Sequence, residues 1–171
     1  MKQSLVVVLV ALTLTGCVSY SPSIPPGYVG PKATVKDSVK TYGSSKADFF
    51  YLSHVDGRQI ENSREKTLRM NRGRGMSMTP QTLENSIPAK STVLTLFGRT
   101  EYAAPILALT NTTYQVSGSI EFIPETNMTY VVRGVLGENY SAVWLEEDKT
   151  QKVVGNKIEV SGSSKLGIFE K

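Results

Sequence analysis

The sequence predicts an all-β protein, an antiparallel β-sandwich of about seven or eight strands preceded by a flexible tether. Short runs rich in β-branched and aromatic residues recur from residue 49 onwards, with turn residues between them at about ten-residue spacing. No apolar pattern with helical periodicity extends beyond about three turns. Residues 18–46 are rich in Pro, Ser and Gly and follow neither period, which is typical of a linker.

The first predicted element of the body is a β-hairpin. Residues 49–55 are aromatic and β-branched, Asp56-Gly57 follows, and residues 58–60 supply the partner. Asp-Gly between such runs favours a type I′ turn, which needs positive φ at both central residues. Residues 62–86 are less regular: a loop is expected at 71–75 and a short helical turn at 81–85, after Pro80.

Strand patterns return after residue 87. Residues 91–97 form a strand that ends at Gly98, and residues 101–109 are apolar, although Pro105 restricts them to an edge strand or a bulge. Residues 114–122 alternate apolar and polar side chains, as a half-buried strand does. Further strands are predicted at 128–136, at 140–145 after a tight turn, at 152–155 and at 157–160.

The N-terminus has the layout of a secretory signal. Lys2 precedes an apolar run at residues 5–14, which as a helix would span about 15 Å, half of the roughly 30 Å hydrocarbon core of a bilayer. The run ends in Leu14-Thr15-Gly16-Cys17, and Cys17 is the only cysteine. These four residues resemble the lipobox of bacterial lipoproteins.

That resemblance implies cleavage between Gly16 and Cys17, a diacylglyceryl group on the Cys17 thiol and an acyl chain such as palmitate on the new amine. Val18 and Ser19 do not match the Asp that directs inner-membrane retention, so the family rule implies a lipid anchor in the outer membrane, facing the periplasm. The expected organisation is a signal peptide at 1–16, a lipidated tether at 17–46, a sandwich at 47–160 and a C-terminal tail at 161–171.

The body resembles small uncharacterised secreted proteins and lipoproteins of diderm bacteria that have a transthyretin-like or immunoglobulin-like sandwich. Four stretches carry the similarity: residues 55–60, 87–89, 98–106 and 130–146. The resemblance implies a fold and no activity.

Few residues suggest catalysis or metal binding. His54 is the only histidine, and strand alternation places Ser53 and His54 on opposite faces, so no triad is expected. Glu146-Glu147-Asp148 are contiguous, unlike the spaced oxygens of a calcium site, and Gly73-Arg74-Gly75 lacks the Lys-Ser/Thr of a phosphate loop. We therefore expect no catalytic residues, no metal and no cofactor.

Residues 58–74 form a basic segment and are the main candidate contact site. The chain has a net charge of +4, and this segment has six cations against Glu61 and Glu65. Arginine forks suit phosphate and carboxylate groups, so an anionic envelope polymer is one expected ligand. The cations are Arg58, Arg64, Lys66, Arg69, Arg72 and Arg74.

Three classes of function are left open by these observations. The leading expectation is a non-catalytic structural or protein-interaction module held at the membrane by its lipid, with an envelope protein as partner and no nucleic acid. The second is a ligand-binding module that uses the basic segment, or that holds a small molecule or a glycan against Tyr102, Tyr130, Tyr140 and Trp144. An enzyme is the third, and it would need a pocket that gathers Asp48, His54 and a glutamate.

Overall fold

The computed structural model describes residues 19–171, so the predicted signal peptide and Cys17 lie outside the described residues. Two short helices, α1 (Ser63–Met70) and α2 (Pro105–Thr110), and a 3₁₀ turn at Ile168–Glu170 accompany the strands. In chain order the strands are β1 (Lys32–Lys36), β2 (Ser38–Thr41), β3 (Lys46–Val55), β4 (Arg58–Gln59), β5 (Glu84–Pro88), β6 (Thr92–Tyr102), β7 (Gln115–Phe122), β8 (Thr129–Val135), β9 (Tyr140–Glu147) and β10 (Val153–Ser161).

The strands form two sheets that pack as a β-sandwich. The first sheet has the order β10–β9–β8–β1–β5, in which only the β1–β8 pair is parallel. The second has the order β2–β3–β6–β7, is antiparallel throughout, and carries β4 on β3. The predicted all-β sandwich is confirmed, with ten strands in the described part of the chain rather than seven or eight.

The main core lies between the sheets. Strand β7 illustrates how it is built, because Val116 and Ile120 are buried while Ser117, Ser119 and Glu121 alternate with them and face outwards. This is the alternation predicted for residues 114–122. Both sheets contribute fully buried side chains, among them Leu52, Leu94, Leu96, Tyr130, Val132, Val143 and Leu145.

Strand β3 is buried on both faces. Its inward residues enter the main core, whereas Ala47, Phe49 and Tyr51 form a second cluster with Met78 on the outer face of the second sheet. Residues 62–83, which comprise α1 and the loop after it, therefore cover the second sheet as a partial third layer.

The Asp56-Gly57 hairpin is confirmed. Asp56 has φ 50° and Gly57 has φ 74°, the two positive values that a type I′ turn requires, and β3 pairs with β4 across them. The two strands differ greatly in length, since β3 continues to pair with β6 on its other side.

Asp37 is the corner at which the chain passes from the first sheet to the second. Its side chain is buried, and its carboxylate accepts hydrogen bonds from the backbone N–H of Leu52 at 3.0 Å and of Ser63 at 2.7 Å. Its own N–H donates to the Leu83 carbonyl at 2.9 Å. A single buried carboxylate thus joins β3 to the first turn of α1.

The predicted boundary between tether and body is too late. Strands β1 and β2 lie inside residues 17–46, and β1 is an interior strand of the first sheet, between β8 and β5. Only Ala33 and Val35 of β1 are buried, too short a pattern to separate from its Pro-rich surroundings. The tail at 161–171 also packs on the body: the N–H of Gln115 donates to the Ser164 carbonyl at 3.0 Å.

Two local predictions are wrong. The helical turn expected at 81–85 is absent: the Gln81 N–H donates to Thr67 Oγ1 and the Leu83 N–H to Ser63 Oγ, both at 2.8 Å, and β5 begins at Glu84. The edge strand expected at 101–109 ends at Tyr102 and is followed by α2. Pro105 occupies the first turn of that helix, where its missing N–H costs nothing.

Candidate functional site

Two adjacent cavities open on the outer side of the second sheet, between α1 with its following loop and α2. Their volumes are about 410 and 390 Å³, and they share Leu68, Tyr102, Ala103 and Pro105 as a common wall. We refer to the two together as the α1–α2 groove. One end reaches the loop at 71–78, and the other end reaches the C-terminal Lys171.

Helix α1 is fixed at both ends. Asn62 is its N-cap, accepting the Glu65 N–H on Oδ1 at 3.0 Å, and Glu65 stands at the third helical position as in a capping box. At the other end Asn71 donates from Nδ2 to the Thr67 and Thr79 carbonyls, at 2.8 and 3.0 Å. These bonds fasten the loop that forms one wall of the groove.

Helix α2 forms the opposite wall and has no buried residue. Ile106 and Leu109 are 57% and 53% exposed. The Lys171 ammonium donates to the carbonyls of Ala108 and Asn111, at 2.9 and 2.6 Å, so a cation satisfies the C-terminal end of the helix.

The C-terminal 3₁₀ turn, which precedes the Lys171 that contacts α2, also exposes large apolar side chains. Ile168 is 66% exposed and the Phe169 side chain is fully exposed. The turn is held against β6 by Arg99, whose Nη2 donates to the Glu170 carbonyl at 3.1 Å. Leu109 lines the groove, Ile106 lies on the same helix, and Ile168 and Phe169 precede the Lys171 that contacts that helix; we call these four exposed apolar side chains the apolar rim.

A buried charge cluster closes the polar side of the groove. Glu101 accepts Arg64 Nε at 2.5 Å and Arg99 Nε at 2.8 Å, and all three side chains are less than one-fifth exposed. Arg64 also reaches Glu65 at 2.7 Å, and Arg99 donates to Gln115 at 2.6 Å. Because each guanidinium is already paired, the cluster is suited to holding α1 on β6 and not to receiving a ligand anion.

The basic segment does not converge on one site. Arg58 donates to the Pro22 carbonyl at 2.6 Å, Arg64 belongs to the cluster just described, and Arg69 pairs with Glu61. Part of the hydrogen-bonding capacity of each of these arginines is therefore used within the protein.

The other three cations of the segment are on the exposed side of α1 and its loop. Lys66 and Arg72 have no acidic group within 4 Å in residues 19–171, and Arg74 makes only long contacts, to Asn71 and Thr79 at 3.4 and 3.5 Å. Arg72 also lines the α1–α2 groove.

Ser53 and His54 meet, contrary to the prediction from strand alternation. The β3–β6 register shifts between Leu52 and His54, so Ser53 is the extra residue of a β-bulge, and its Oγ lies 2.8 Å from His54 Nδ1. Ser53 is 5% exposed, and its Oγ lies 3.0 Å from the Thr95 carbonyl oxygen. The Thr95 carbonyl and His54 Nδ1 are both within hydrogen-bond distance of this hydroxyl, so they compete for its single proton.

Glu65 lines a cavity of about 200 Å³ together with Ser53, His54 and Arg64, whereas the two aspartates near His54 in sequence have other partners. Asp56 accepts the Val93 N–H at 2.9 Å in the hairpin turn. Asp48 accepts from Tyr42 and Thr100, at 2.9 and 2.6 Å, towards the other end of β3. Of the predicted combination, His54 and a glutamate, Glu65, share a cavity, but Asp48 is not among its lining residues.

The four candidate aromatic residues do not form one platform. Tyr130 is a core residue, 1% exposed, with its ring edge against Phe122. Trp144 and Tyr140 alternate with the buried residues of β9 and belong to the first sheet, with Trp144 Nε1 donating to Glu146 at 3.0 Å. Tyr102 alone lines the α1–α2 groove.

The acidic run at 146–148 is divided among separate partners. Glu146 accepts Arg133 at 3.0 Å, Glu147 accepts the Thr150 hydroxyl at 2.5 Å, and Asp148 pairs with Lys36 at 3.1 Å. Within residues 19–171, no group of three or more His, Cys, Asp and Glu side chains is arranged to hold a metal ion. No helix in that part of the chain is long and apolar enough to cross a membrane.

Comparison with protein-family models, with curated proteins and with solved structures finds no match to this chain. The surface most suited to a function, the α1–α2 groove with its apolar rim, was missed by the sequence reasoning apart from Tyr102, Arg72 and Arg64. A signal for α1 was present, because Asn62 followed three residues later by Glu65 is a capping-box pattern. Nothing local marks Ile168 and Phe169 as exposed.

Proposed function

We propose that the protein is a lipid-anchored, non-catalytic interaction module of the bacterial cell envelope, held by Cys17 in the outer membrane and facing the periplasm. The anchor is supported by the coincidence of Lys2, the apolar run at 5–14 and Leu14-Thr15-Gly16-Cys17. Two or more acyl chains make such an anchor stable, because each buried methylene contributes about 0.8 kcal/mol.

The observation that carries the interaction role is the apolar rim beside the α1–α2 groove. Large apolar side chains are ordinarily buried, and a contiguous exposed group of them marks a contact surface on a soluble body. Here all four rim residues are more than half exposed, on a helix and a turn that are themselves tied down by Lys171 and Arg99. A firmly held apolar surface next to a groove suits an apolar segment of a protein partner.

A non-catalytic role is favoured by the burial of Ser53. A hydrolase would need an exposed hydroxyl that donates to the imidazole, with an acid behind it. Ser53 is instead buried, and the Thr95 carbonyl, 3.0 Å from its Oγ, competes with His54 for the hydroxyl proton.

The partner surface is tested by photo-crosslinking in cells. A photo-reactive amino acid at position 106 should give a discrete crosslinked protein, and the same substitution at the exposed Asn156 of β10, in the other sheet, should not. The double variant I106D/L109D should abolish the product while keeping the wild-type melting temperature, because both side chains are already exposed. Equal products from positions 106 and 156 would refute a partner surface at the rim, and capture of glycan or lipid alone would replace it with a ligand-binding role.

The anchor is tested separately by fractionation. Cys17→Ala should remove the protein from the membrane fraction or stall its export. A variant that still fractionates with membranes after a salt wash would show that something other than a lipid on Cys17 holds the protein.

A further inference from the structure

The N-terminal segment is attached to the body from Tyr20 onwards, although its composition predicts a free tether. The Tyr20 hydroxyl donates to Glu65 of α1 at 3.3 Å, and the Ser21 N–H donates to the Gln59 carbonyl at 2.8 Å. The Arg58 guanidinium donates hydrogen bonds to the carbonyls of Pro22 and Ser23, at 2.6 and 3.2 Å. The segment therefore leaves the body beside the first turn of α1.

This attachment limits how far a lipid on Cys17 can be from the body. Cys17 precedes Tyr20 by three residues, and three residues of fully extended chain reach only about 10 Å. A free tether of thirty residues would instead allow the body to move tens of ångströms from the bilayer. With the segment attached, β4 and the first turn of α1 are tied to the chain within a few residues of the anchor, and the exposed side of α1 begins there.

That part of the surface is basic. Residues 58–74 carry six Lys and Arg against two Glu, a net charge of +4, which equals the net charge of the whole chain. Arg69 pairs with Glu61, but Lys66, Arg72 and Arg74 have no acidic partner within 4 Å among the described residues. Ion pairing occupies hydrogen-bond donors that a specific anion site would need, but it does not change the net charge. The attraction of this surface to a negatively charged plane depends on net charge and is therefore kept.

Two exposed methionines flank these cations. Met70 ends α1 and is 52% exposed, and Met76 follows the arginine-glycine loop and is 56% exposed. Apolar side chains between cations are suited to the boundary between head groups and acyl chains. We call Lys66, Arg69, Met70, Arg72, Arg74 and Met76 together the anchor-side face.

We propose that the anchor-side face binds the anionic phospholipid head groups of the bilayer that holds the Cys17 lipid, so that the body has a fixed orientation on the membrane. The proposal rests on the anchor of the proposed function. The short connection supports it, because about 10 Å of chain from Cys17 to Tyr20 keeps the first turn of α1 near the bilayer, where surface charge acts over a screening length of about 8–10 Å at physiological salt. A lipid chain combined with a basic surface is also the pair of signals that gives stable membrane attachment.

The orientation is measured on the intact lipoprotein in phospholipid vesicles. Because Cys17 is the only cysteine and its thiol would be alkylated, a cysteine introduced by Met76→Cys or Asn156→Cys is a unique site for an environment-sensitive fluorophore. Position 76 is on the anchor-side face, and position 156 is in β10 of the other sheet. In vesicles of phosphatidylcholine with phosphatidylglycerol, a head-group quencher should quench the label at 76 and leave the label at 156 bright.

Charge is tested with matched variants. R69Q/R72Q/R74Q should lose the difference between positions 76 and 156, whereas K149Q/K152Q/K157Q, which removes three exposed lysines of the β9–β10 hairpin, should keep it. Both variants should melt at the wild-type temperature, because exposed charges contribute little to stability. High salt, or phosphatidylcholine alone, should also remove the difference.

The outcomes separate this proposal from the one on which it rests. Protein that does not incorporate into vesicles would overturn the anchor and the orientation with it. Incorporated protein with equal quenching at 76 and 156 would overturn the orientation alone and show a freely tumbling body. A difference that persists in phosphatidylcholine and in high salt would overturn the role of anionic lipid.

Discussion

Asp37 gives a sharp test of how the corner between the sheets is held. Its carboxylate is 5% exposed, and no Lys, Arg or His nitrogen lies within 4 Å of it in residues 19–171. Burial raises the pKa of Asp37 from 3.8 to about 6, against the lowering effect of the hydrogen bonds from Leu52 and Ser63. Ionisation of Asp37 is therefore less favourable in the folded protein than in the unfolded chain.

The sign and size of the pH effect follow from that shift. Between the unfolded and folded pKa values the native state binds more protons than the unfolded state, so stability falls as the pH rises. The contribution of Asp37 is complete below about pH 4 and is lost by about pH 6–7, and two pKa units amount to about 3 kcal/mol of unfolding free energy.

The perturbation is Asp37→Asn. The amide keeps one acceptor oxygen and cannot titrate, so the N–H of Leu52 or of Ser63 loses its partner, at about 1–3 kcal/mol. Near pH 7 this loss is offset by removal of the buried charge. At about pH 4 Asp37 is protonated in both states of the wild type, so the variant gains nothing from removing a charge. Between pH 7 and pH 4 the unfolding free energy of the wild type should therefore rise by about 3 kcal/mol relative to that of the variant.

Urea denaturation of both proteins, followed by Trp144 fluorescence at a series of pH values, measures this difference. The other carboxyl groups titrate alike in wild type and variant, so they cancel to first order. A stability difference that does not change with pH would refute the raised pKa. One that grows as the pH rises would show that the two backbone donors outweigh burial.

Two further substitutions test a close packing contact and a helix cap. A Cβ at Gly134 would clash with the ring of Phe50, so Gly134→Ala should cost about 3 kcal/mol of unfolding free energy. Gly98→Ala should cost clearly less, because its Cβ would lie 3.1 Å from the same ring. Equal denaturation midpoints for the two variants would contradict the close approach of Phe50 to Gly134. Asn62→Ala removes the hydrogen bond that caps α1 at the Glu65 N–H, and it should cost about 1 kcal/mol of unfolding free energy in thermal denaturation. Asn62→Asp keeps the acceptor oxygen and should retain most of that stability. If the Asp variant is destabilised as much as the Ala variant, Asn62 acts through packing.

The elements that the sequence predicted well are those with a local physical cause. Asp56-Gly57 favours one turn type because both residues tolerate positive φ, and the alternation of 114–122 has one buried face. The fold class followed from the spacing of such signals. Composition revealed the basic segment but not the ion pairs that its cations make. Arg64, for example, pairs with Glu101, which lies thirty-seven residues away in the sequence.

By itself the sequence determined the all-β class, the hairpin and strand alternation, and the N-terminal motif on which the proposed anchor depends. The tertiary structure alone decided that β1 pairs in the middle of a sheet, that the Pro-rich segment attaches to α1, and that residues 105–110 form a helix with an exposed apolar face. The physical reason is that these features depend on partners distant in sequence: Lys36 of β1 adjoins Val131 of β8 only after the sheets assemble. Local propensity reflects only the backbone preferences of a residue itself. Strand β1 has five residues and buries only Ala33 and Val35, so it is stabilised mainly by pairing with β8 and β5.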